Sequence, residues 1–520
     1  MIYIMGNKFK KLLNIFDSIE PLLTSATTFR IFSIVLILYT FFGLLMLYSP
    51  GGSDYWEHLA TIYHLSTDPT DTSNAYIIAS KPFFLNTPYH LFWGIVSKVL
   101  NIHPFWLLPL IGAINSFLFL TGVVLLTEYV TRARRYSLIT ALTLLFFWHK
   151  PWTWSGFYNF GTLPMSSIYP FWFALSLSLI IISKIGIQKG YFQQFIYVIV
   201  MALVFLIHPL TGSFLFLGVF VKSVTNYHEP MKNRLLVLLS PFAAFVLGML
   251  WPYFSVGAEI LKIGDSPRYF LGPYWQFYVQ PWKSILPALF GFIYLPIALK
   301  NKQLNFVVIG LFATIVIFIG NRYTFHSPYL SRYLIYICFF LQISIVMLLK
   351  TVKNGFPRKV TFFVFFILLV IFGINQIRLS TSHFGINNDN KHNVPIGTHS
   401  NMSYFNKYSK IRAFTSKTNI VFAPIYDSWK LPGIVGCRVV GSPHAEVFET
   451  DEEYWTRWDD TDIFFQNSTL SKTRVRIINK YNVDFLMIPK EFNYAMFDSL
   501  NILESVFTDT DYKFYKVKVD

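Results

Sequence analysis

Apolar segments separated by short polar turns make up most of the chain as far as residue 378. A helix rises about 1.5 Å per residue, so about 20 apolar residues suffice to cross the hydrocarbon core of a bilayer. The lengths of the segments and the charges of the turns together predict about eleven transmembrane helices. The predicted spans are residues 29–48, 103–130, 136–148, 166–183, 192–207, 213–221, 235–254, 282–299, 305–320, 333–349 and 360–377.

Nearly every second turn between these spans is basic, beginning with Lys8, Lys10 and Lys11 before the first span. Membrane proteins retain Lys and Arg on the cytoplasmic side. We therefore expect a multi-pass protein of the cytoplasmic membrane, with a cytoplasmic N-terminus and an extracytoplasmic C-terminus. The first apolar segment is too long for the core of a signal peptide, which indicates a retained span.

The composition agrees with a membrane protein. Hydrophobic residues make up 54% of the chain and charged residues only 13%, whereas a soluble domain has about 25% charged residues. The net charge of +16 is distributed over the turns, so it argues against nucleic acid as a partner. The two cysteines, Cys338 and Cys437, provide neither a disulfide framework nor a zinc motif.

The pattern changes after residue 378, where apolar runs shorten to the length of strands. Residues 419–423, 437–441 and 483–488 read as buried strands, and residues 512–519 as an edge strand. Residues 451–465 and 471–481 read as helices. The sequence therefore predicts two domains: a transmembrane module over 1–378, and a small extracytoplasmic α/β domain over 379–520.

The first outer loop, residues 49–90, contains an acidic and aromatic cluster directly after the first span. On a helix Asp54, Glu57 and His58 could share one face, where they could transfer a proton or hold a divalent cation. No metal site is predicted, because the histidines do not have a spacing that is common in zinc sites. The alternative is a structural helix start, with Asp54 or the preceding serine as the N-cap and Trp56 as a membrane-interface anchor.

Positive charge on the predicted outer side runs against the usual bias of membrane proteins. Arg322 and Arg332 flank a short loop close to the membrane, where arginine can bind a lipid phosphate with two hydrogen bonds. The alternative is that they extend towards the headgroups of membrane lipids. Further candidate residues on this side are the cations Lys81 and Arg268 and the aromatic residues Trp152, Trp154 and Tyr158.

Two other functional classes are disfavoured by what the sequence lacks. Charged residues are nearly absent from the middle of the predicted spans, although ion-coupled transporters usually need them there. The chain also has no glycine-rich phosphate loop, so a cytosolic nucleotide sugar is not the expected substrate. A lipid or glycan transporter or flippase, and a non-catalytic scaffold for envelope assembly, stay as alternatives.

The layout, with Ser53-Asp54-Tyr-Trp-Glu57-His58 after the first span, resembles the GT-C superfamily of membrane glycosyltransferases. Members have an essential acidic residue just past the first span, a polyprenyl-phosphate sugar as donor and often a soluble outer domain. Residues 431–444 and 477–486 are similar to the tails of poorly characterised prokaryotic members. The Trp-Trp-Asp-Tyr-Gly motif of oligosaccharyltransferases is absent, so transfer of a whole oligosaccharide to asparagine is not expected.

The resemblance implies a hexosyl- or pentosyltransferase that acts on the outer face of the membrane with inversion. Its acceptor would be a hydroxyl of a glycan, lipid or protein. Asp54 would be the general base, and Glu57 or His58 would orient it or the acceptor. Arg332, and after it Arg322 or Arg268, would stabilise the leaving phosphate, with Lys81 as a further cation. Trp56, Trp152, Trp154 and Tyr158 would stack on the sugar or line the lipid groove.

Overall fold

A computed structural model describes residues 20–46, 54–79, 82–149, 156–186, 190–257, 277–301, 305–352, 354–382, 400–444 and 447–518. Four of the residues predicted to bind donor or substrate lie outside these described residues, namely Lys81, Trp152, Trp154 and Arg268.

The chain divides into two compact units. The first unit comprises Met1–Leu44, Pro109–Trp251 and Ser255–Asp389, and the second comprises Leu45–Leu108, Pro252–Phe254 and Asn390–Asp520. The segment that follows the first long helix therefore belongs to the same unit as the C-terminal part of the chain.

Helices dominate the first unit. Inside a bilayer no water is present to satisfy backbone groups, so apolar stretches of this length form helices that pair every internal N–H and C=O. The helices, of which α1 and α4 extend into the second unit, are α1 (Ala26–Met46), α4 (Pro104–Thr131), α5 (Ser137–Phe146), α6 (Leu163–Ser166), α7 (Pro170–Lys184), α8 (Tyr191–Ile207), α9 (Pro209–Thr225), α10 (Met231–Gly248), α11 (Trp282–Ile285), α12 (Tyr294–Lys300), α13 (Phe306–Tyr323), α14 (Pro328–Ser331), α15 (Leu334–Thr351) and α16 (Phe356–Ser382).

Seven helical segments among the described residues are long and apolar enough to cross a membrane. A bent pair, Phe160–Ser166 and Pro170–Lys184, adds an eighth if it counts as one span, and α8 and α9 are shorter apolar helices. The predicted class, a polytopic helical membrane protein with a small sheet, is confirmed. The number of spans, about eleven by the length and charge rules, stays a prediction.

The core of the first unit lies around α15, which is buried along almost its whole length. A 3₁₀ segment, Leu286–Ile293, packs directly against it. Any side chain at Gly291 would overlap the backbone carbonyl of Leu341, so this close approach requires glycine.

The second unit combines helices with a five-stranded sheet in the order β2-β1-β3-β5-β4. β1 pairs in parallel with β2 and β3, and β5 pairs antiparallel with β3 and β4. The helices, listed from their start in the chain, are α2 (Tyr55–Thr67), α3 (Pro88–Leu100), α17 (Asn401–Ser409), α18 (Ile425–Ser428), α19 (Leu431–Val435), α20 (Asp451–Phe465), α21 (Ser471–Lys480) and α22 (Ala495–Asp498). The strands are β1 (Ile420–Phe422), β2 (Arg438–Val439), β3 (Phe485–Pro489), β4 (Leu503–Thr508) and β5 (Tyr512–Val517).

One strand prediction is wrong in its position within the sheet. The strand predicted at the edge, β5, pairs on both sides, and the edge is formed by β4. β4 was not predicted because most of its residues are partly or fully exposed, so it lacks the apolar run that marks a buried strand.

Candidate active site

Asp54 lies at the start of α2, at the N-cap position, but its side chain makes no capping hydrogen bond. Capping residues normally accept a hydrogen bond from a backbone N–H in the first turn. The structural alternative, in which the Asp54 carboxylate serves to cap the helix, therefore does not explain why an acidic residue stands at this position.

The short helix α19 packs directly on α2. A Cβ atom on Gly433 would lie 3.1 Å from Cγ of Leu59, and one on Gly436 would lie 2.6 Å from the ring of Tyr63. Gly436 also has a φ of +83°, in the left-handed region that favours glycine. The two glycines thus allow the backbone of α19 to contact α2. This packing positions the residues on either side of α19 beside the start of α2.

His444 is brought between the two carboxylates at the start of α2. Its Nδ1 lies 2.7 Å from Oε1 of Glu57, and its Nε2 lies 3.7 Å from Oδ1 of Asp54. Trp429 donates from Nε1 to the same Glu57 oxygen at 3.3 Å, and its ring lies 4.8 Å from the imidazole. We call Asp54, Glu57 and His444 the Asp54 cluster.

The two carboxylates of the cluster have different environments. The Glu57 side chain is 5% exposed, whereas Asp54 and His444 are 29% and 28% exposed. Burial raises the pKa of Glu57 above its usual value, although His444 beside it opposes that rise. Asp54 is consequently the carboxylate that a substrate can reach, and Glu57 is the enclosed one.

The cluster also contains the donor atoms that a divalent cation could use. One ligand atom from each of the three side chains lies within 4.8 Å of the others, among the residues the structure describes. Carboxylate oxygens and an imidazole nitrogen are common ligands of such ions. The third candidate ligand is therefore His444, whereas the sequence had indicated His58 for this role.

His58 points to a different partner. Its Nδ1 lies 2.9 Å from Nε2 of His90, whose Nδ1 lies 2.9 Å from the hydroxyl of Thr87. Burial lowers the pKa of His90 to about 3. The sequence expected His58 to share a face with Asp54 and Glu57; the structure describes its contact with His90 on α3, and its catalytic role stays a prediction.

The two aromatic candidates that the structure describes are packing residues. Trp56 is fully buried and lies edge-on to Tyr55 and Tyr404. Tyr158, in the first unit, is also fully buried and donates to Oε1 of Gln342 at 2.9 Å. Neither ring presents an open face to a sugar, and Trp56 is not an exposed interface anchor.

Arg322 and Arg332 both belong to the first unit, close to the ends of α13 and α14. The guanidinium of Arg322 lies 5.7 Å from the ring centre of Tyr278, and that of Arg332 lies 5.9 Å from the ring centre of Tyr329. The loop between them is fixed by Asn321, which donates to the carbonyl of Ser327 at 2.8 Å and accepts from its N–H at 2.9 Å. Their phosphate-binding role stays a prediction.

His444 is the residue of this site that sequence reasoning missed. Its segment, residues 431–444, was noted only for its resemblance to tails of the GT-C superfamily, and no role was given to the histidine. A signal was present, since the histidine follows Gly441-Ser-Pro443 at the end of an apolar run. Nothing in the sequence paired it with a helix almost 400 residues earlier.

No protein-family model matches the sequence, and a search of curated proteins finds no significant match. Among solved structures, ArnT from Cupriavidus metallidurans, both bound to undecaprenyl phosphate and in the apo state, aligns with a TM-score of 0.51 and 12% sequence identity, covering 94% of this chain and 98% of ArnT. The apo oligosaccharyltransferase of Archaeoglobus fulgidus aligns with a TM-score of 0.48 and 11% identity, over 88% of this chain and 69% of that one. The protein therefore shares the overall fold of ArnT.

Proposed function

We propose that the protein is a membrane glycosyltransferase that moves a sugar from a polyprenyl-phosphate-linked donor to an acceptor hydroxyl, on the extracytoplasmic side of the cytoplasmic membrane. The observation that carries the proposal is the Asp54 cluster, which unites an accessible carboxylate, an enclosed carboxylate and an imidazole in a chain with a GT-C-like fold. The ArnT structure bound to undecaprenyl phosphate supports a polyprenyl-linked donor.

Asp54 acts as the general base in this proposal. Its carboxylate accepts the proton of the acceptor hydroxyl while the hydroxyl oxygen forms a bond to the anomeric carbon. The bond between that carbon and the phosphate oxygen breaks, and the electron pair leaves with the polyprenyl phosphate. A single displacement of this kind inverts the configuration of the sugar. Asp54 suits the role because its side chain is the more exposed of the two carboxylates.

The leaving group is already stable as an anion, so stabilisation of its charge matters more than its protonation. Arg332 is the first candidate for this task and Arg322 the second, since guanidinium groups bind phosphate oxygens in pairs. Arg268 and Lys81 are further candidates among the residues that the structure leaves undescribed.

A transfer assay in native membranes tests the proposal. Wild type, Asp54→Asn and the control Asp68→Asn are supplied with a panel of polyprenyl-phosphate hexoses and pentoses. Asp68 is a good control because its side chain is 42% exposed and its nearest partners are Thr70 and Lys417. We expect product with wild type and Asp68→Asn, and a rate lower by about 10²–10⁴ with Asp54→Asn.

Three results would change this conclusion. Full activity in Asp54→Asn moves the base to Glu57. Movement of intact donor across vesicles without any covalent product supports a transporter. Loss of activity with EDTA that Mg²⁺ or Mn²⁺ restores adds a metal ion to the reaction, with the Asp54 cluster as the first place to look for it.

A further inference from the structure

One oxygen of each carboxylate in the Asp54 cluster lies within 4.8 Å of the other, close enough for two negative charges to repel each other. Two carboxylates that share one site cannot both hold their charge without compensation. The imidazole of His444 lies between them, with one nitrogen directed at each. The imidazole therefore contacts Glu57 directly and faces Asp54.

The orientation of His444 is itself fixed by its neighbours. Its ring packs against the indole of Trp429, which holds Glu57 through Nε1. The backbone N–H of His444 donates to the hydroxyl of Ser442 at 3.4 Å. The preceding residue, Pro443, has a restricted backbone, and its carbonyl accepts a hydrogen bond from the hydroxyl of Tyr454 at 3.2 Å. The imidazole is therefore held in place from the ring side and from the backbone side.

We infer that His444 is a positioning residue of the proposed transferase. Nδ1 holds the enclosed Glu57, and Nε2 faces the accessible Asp54 and orients its carboxylate towards the acceptor hydroxyl. The inference rests on the proposed function, because it assigns a role in the same site. It makes the C-terminal segment a part of the active site, since His444 faces Asp54 and both His444 and Trp429 contact Glu57.

A histidine that served only packing would affect stability and leave the reaction of the folded protein unchanged. A positioning histidine affects the step in which Asp54 takes the proton. Misplacement of a reacting group by about 1 Å can cost about 10² in rate. The two roles therefore separate in the turnover number, measured on protein whose folding has been verified.

The experiment compares the full-length wild type, His444→Ala, His444→Gln and the control His64→Ala in membranes. His64 lies on the same helix as Asp54 but pairs with Asp71 at 3.4 Å, at the far end of α2. For His444→Ala we expect kcat to fall roughly 10²-fold with KM for the donor nearly unchanged. We expect His444→Gln to be intermediate, because an amide keeps one of the two contacts, and His64→Ala to retain the wild-type kcat.

Added imidazole provides the decisive measurement. In His444→Ala the side chain ends at Cβ, and added imidazole, titrated over a range of concentrations, should restore part of kcat without a change in melting temperature. His64→Ala should show no response. Equal kcat for His444→Ala and wild type overturns the inference, and so does a rescue that depends on added divalent metal, because His444 would then be a ligand.

The failures of the two proposals are distinguishable. If wild type makes no product with any donor, the proposed function fails and the comparison of His444 variants has no baseline. If wild type is active and Asp54→Asn is not, while His444→Ala is fully active, only the role of His444 is wrong.

Discussion

The Asp54 cluster of the second unit and the arginine loop of the first unit, which we define as residues 321–332, are organised differently. In the cluster, Nδ1 of His444 lies 2.7 Å from Glu57 and Nε2 lies 3.7 Å from Asp54, although His444 is almost 400 residues from both in the chain. In the arginine loop, the guanidinium of Arg332 faces the ring of Tyr329, three residues away, and Arg322 faces Tyr323 and Tyr278. The acids contact a residue from a distant part of the chain, whereas the rings of nearby tyrosines lie beside the arginines.

This difference predicts different consequences of mutation. Each side chain of the partly buried Asp54 cluster affects the charge and the position of the other two. Its removal should therefore alter both stability and turnover. An arginine over a tyrosine ring gains about 0.5–1 kcal/mol at exposed sites and about 2 kcal/mol where the contact is desolvated, and Arg322 and Arg332 are partly buried. Replacement of either arginine should therefore alter the reaction much more than it alters stability.

After Asp54→Asn, the largest expected effect is that of Arg332→Ala on turnover. If this guanidinium stabilises the leaving phosphate, its loss should lower kcat by about 10²–10³ while the melting temperature stays within a few degrees. Arg332→Lys keeps the charge but not the paired hydrogen bonds, so it should lie in between. Unchanged turnover in Arg332→Ala would leave the arginine as a lipid-facing residue and move the phosphate role to Arg322.

Gly436→Ala should give the largest loss of stability near the cluster. The substitution puts a Cβ at a backbone φ of +83° and 2.6 Å from the ring of Tyr63. The strain and the overlap together should destabilise the fold by about 1–3 kcal/mol, measured by thermal unfolding in detergent. Gly320→Ala is the control, because nothing lies within 4 Å of its Cβ position. Equal behaviour of both variants would contradict the packing of α19 on α2.

Glu57→Gln should alter how stability depends on pH. Burial raises the pKa of Glu57, so the folded protein binds this proton more tightly than the unfolded chain. Its contribution to stability is therefore full below the unfolded pKa near 4.5 and is lost as pH rises through the folded value.

The wild type should lose stability in this pH range by at most about 1.4 kcal/mol per pH unit from this group, and Glu57→Gln should lose less. Unfolding temperatures measured at several pH values for both proteins check this. Parallel curves would show that His444 and Trp429 fully compensate the buried charge.

The smallest expected effect is that of Lys417→Ala. Lys417 lies 3.5 Å from Asp68 and 3.4 Å from Asp71, and its side chain is 39% exposed. Exposed ion pairs of this kind contribute little to stability and are screened by salt. The variant should keep full activity and lose a little stability at low salt, with no difference from wild type at high salt. A strong loss of activity would mean that the cluster depends on the whole of α2 and not only on its first turn.

Much of the second unit could be predicted from local pattern alone. Helix α20 has the bounds that the sequence indicated, and β1, β2 and β3 lie within or next to the predicted apolar runs. β1 and β3 are continuously apolar, so residues a few positions apart suffice to specify them. β4 lacks that pattern, and the edge position of a strand depends on partners that the local sequence does not encode.

The site was predicted only in part. Asp54 and Glu57 belong to one helix turn, and their proximity follows from chain geometry. His58 satisfied the same spacing rule, but its ring pairs with His90 because a neighbouring helix, α3, contacts that side of α2. Trp56 was expected to contact substrate, but it is enclosed by Tyr55 and Tyr404. Exposure depends on which distant segments cover a residue.

The sequence by itself determined that the protein spans the membrane, that it has a small sheet after the last long helix, and that an acidic residue follows the first span. These properties depend on composition and short-range spacing. Only the tertiary structure decided that His444 completes the pair formed by Asp54 and Glu57, and that Glu57 is the enclosed carboxylate. Contacts between distant segments, and the burial that shifts a pKa, arise from packing, which local spacing does not specify.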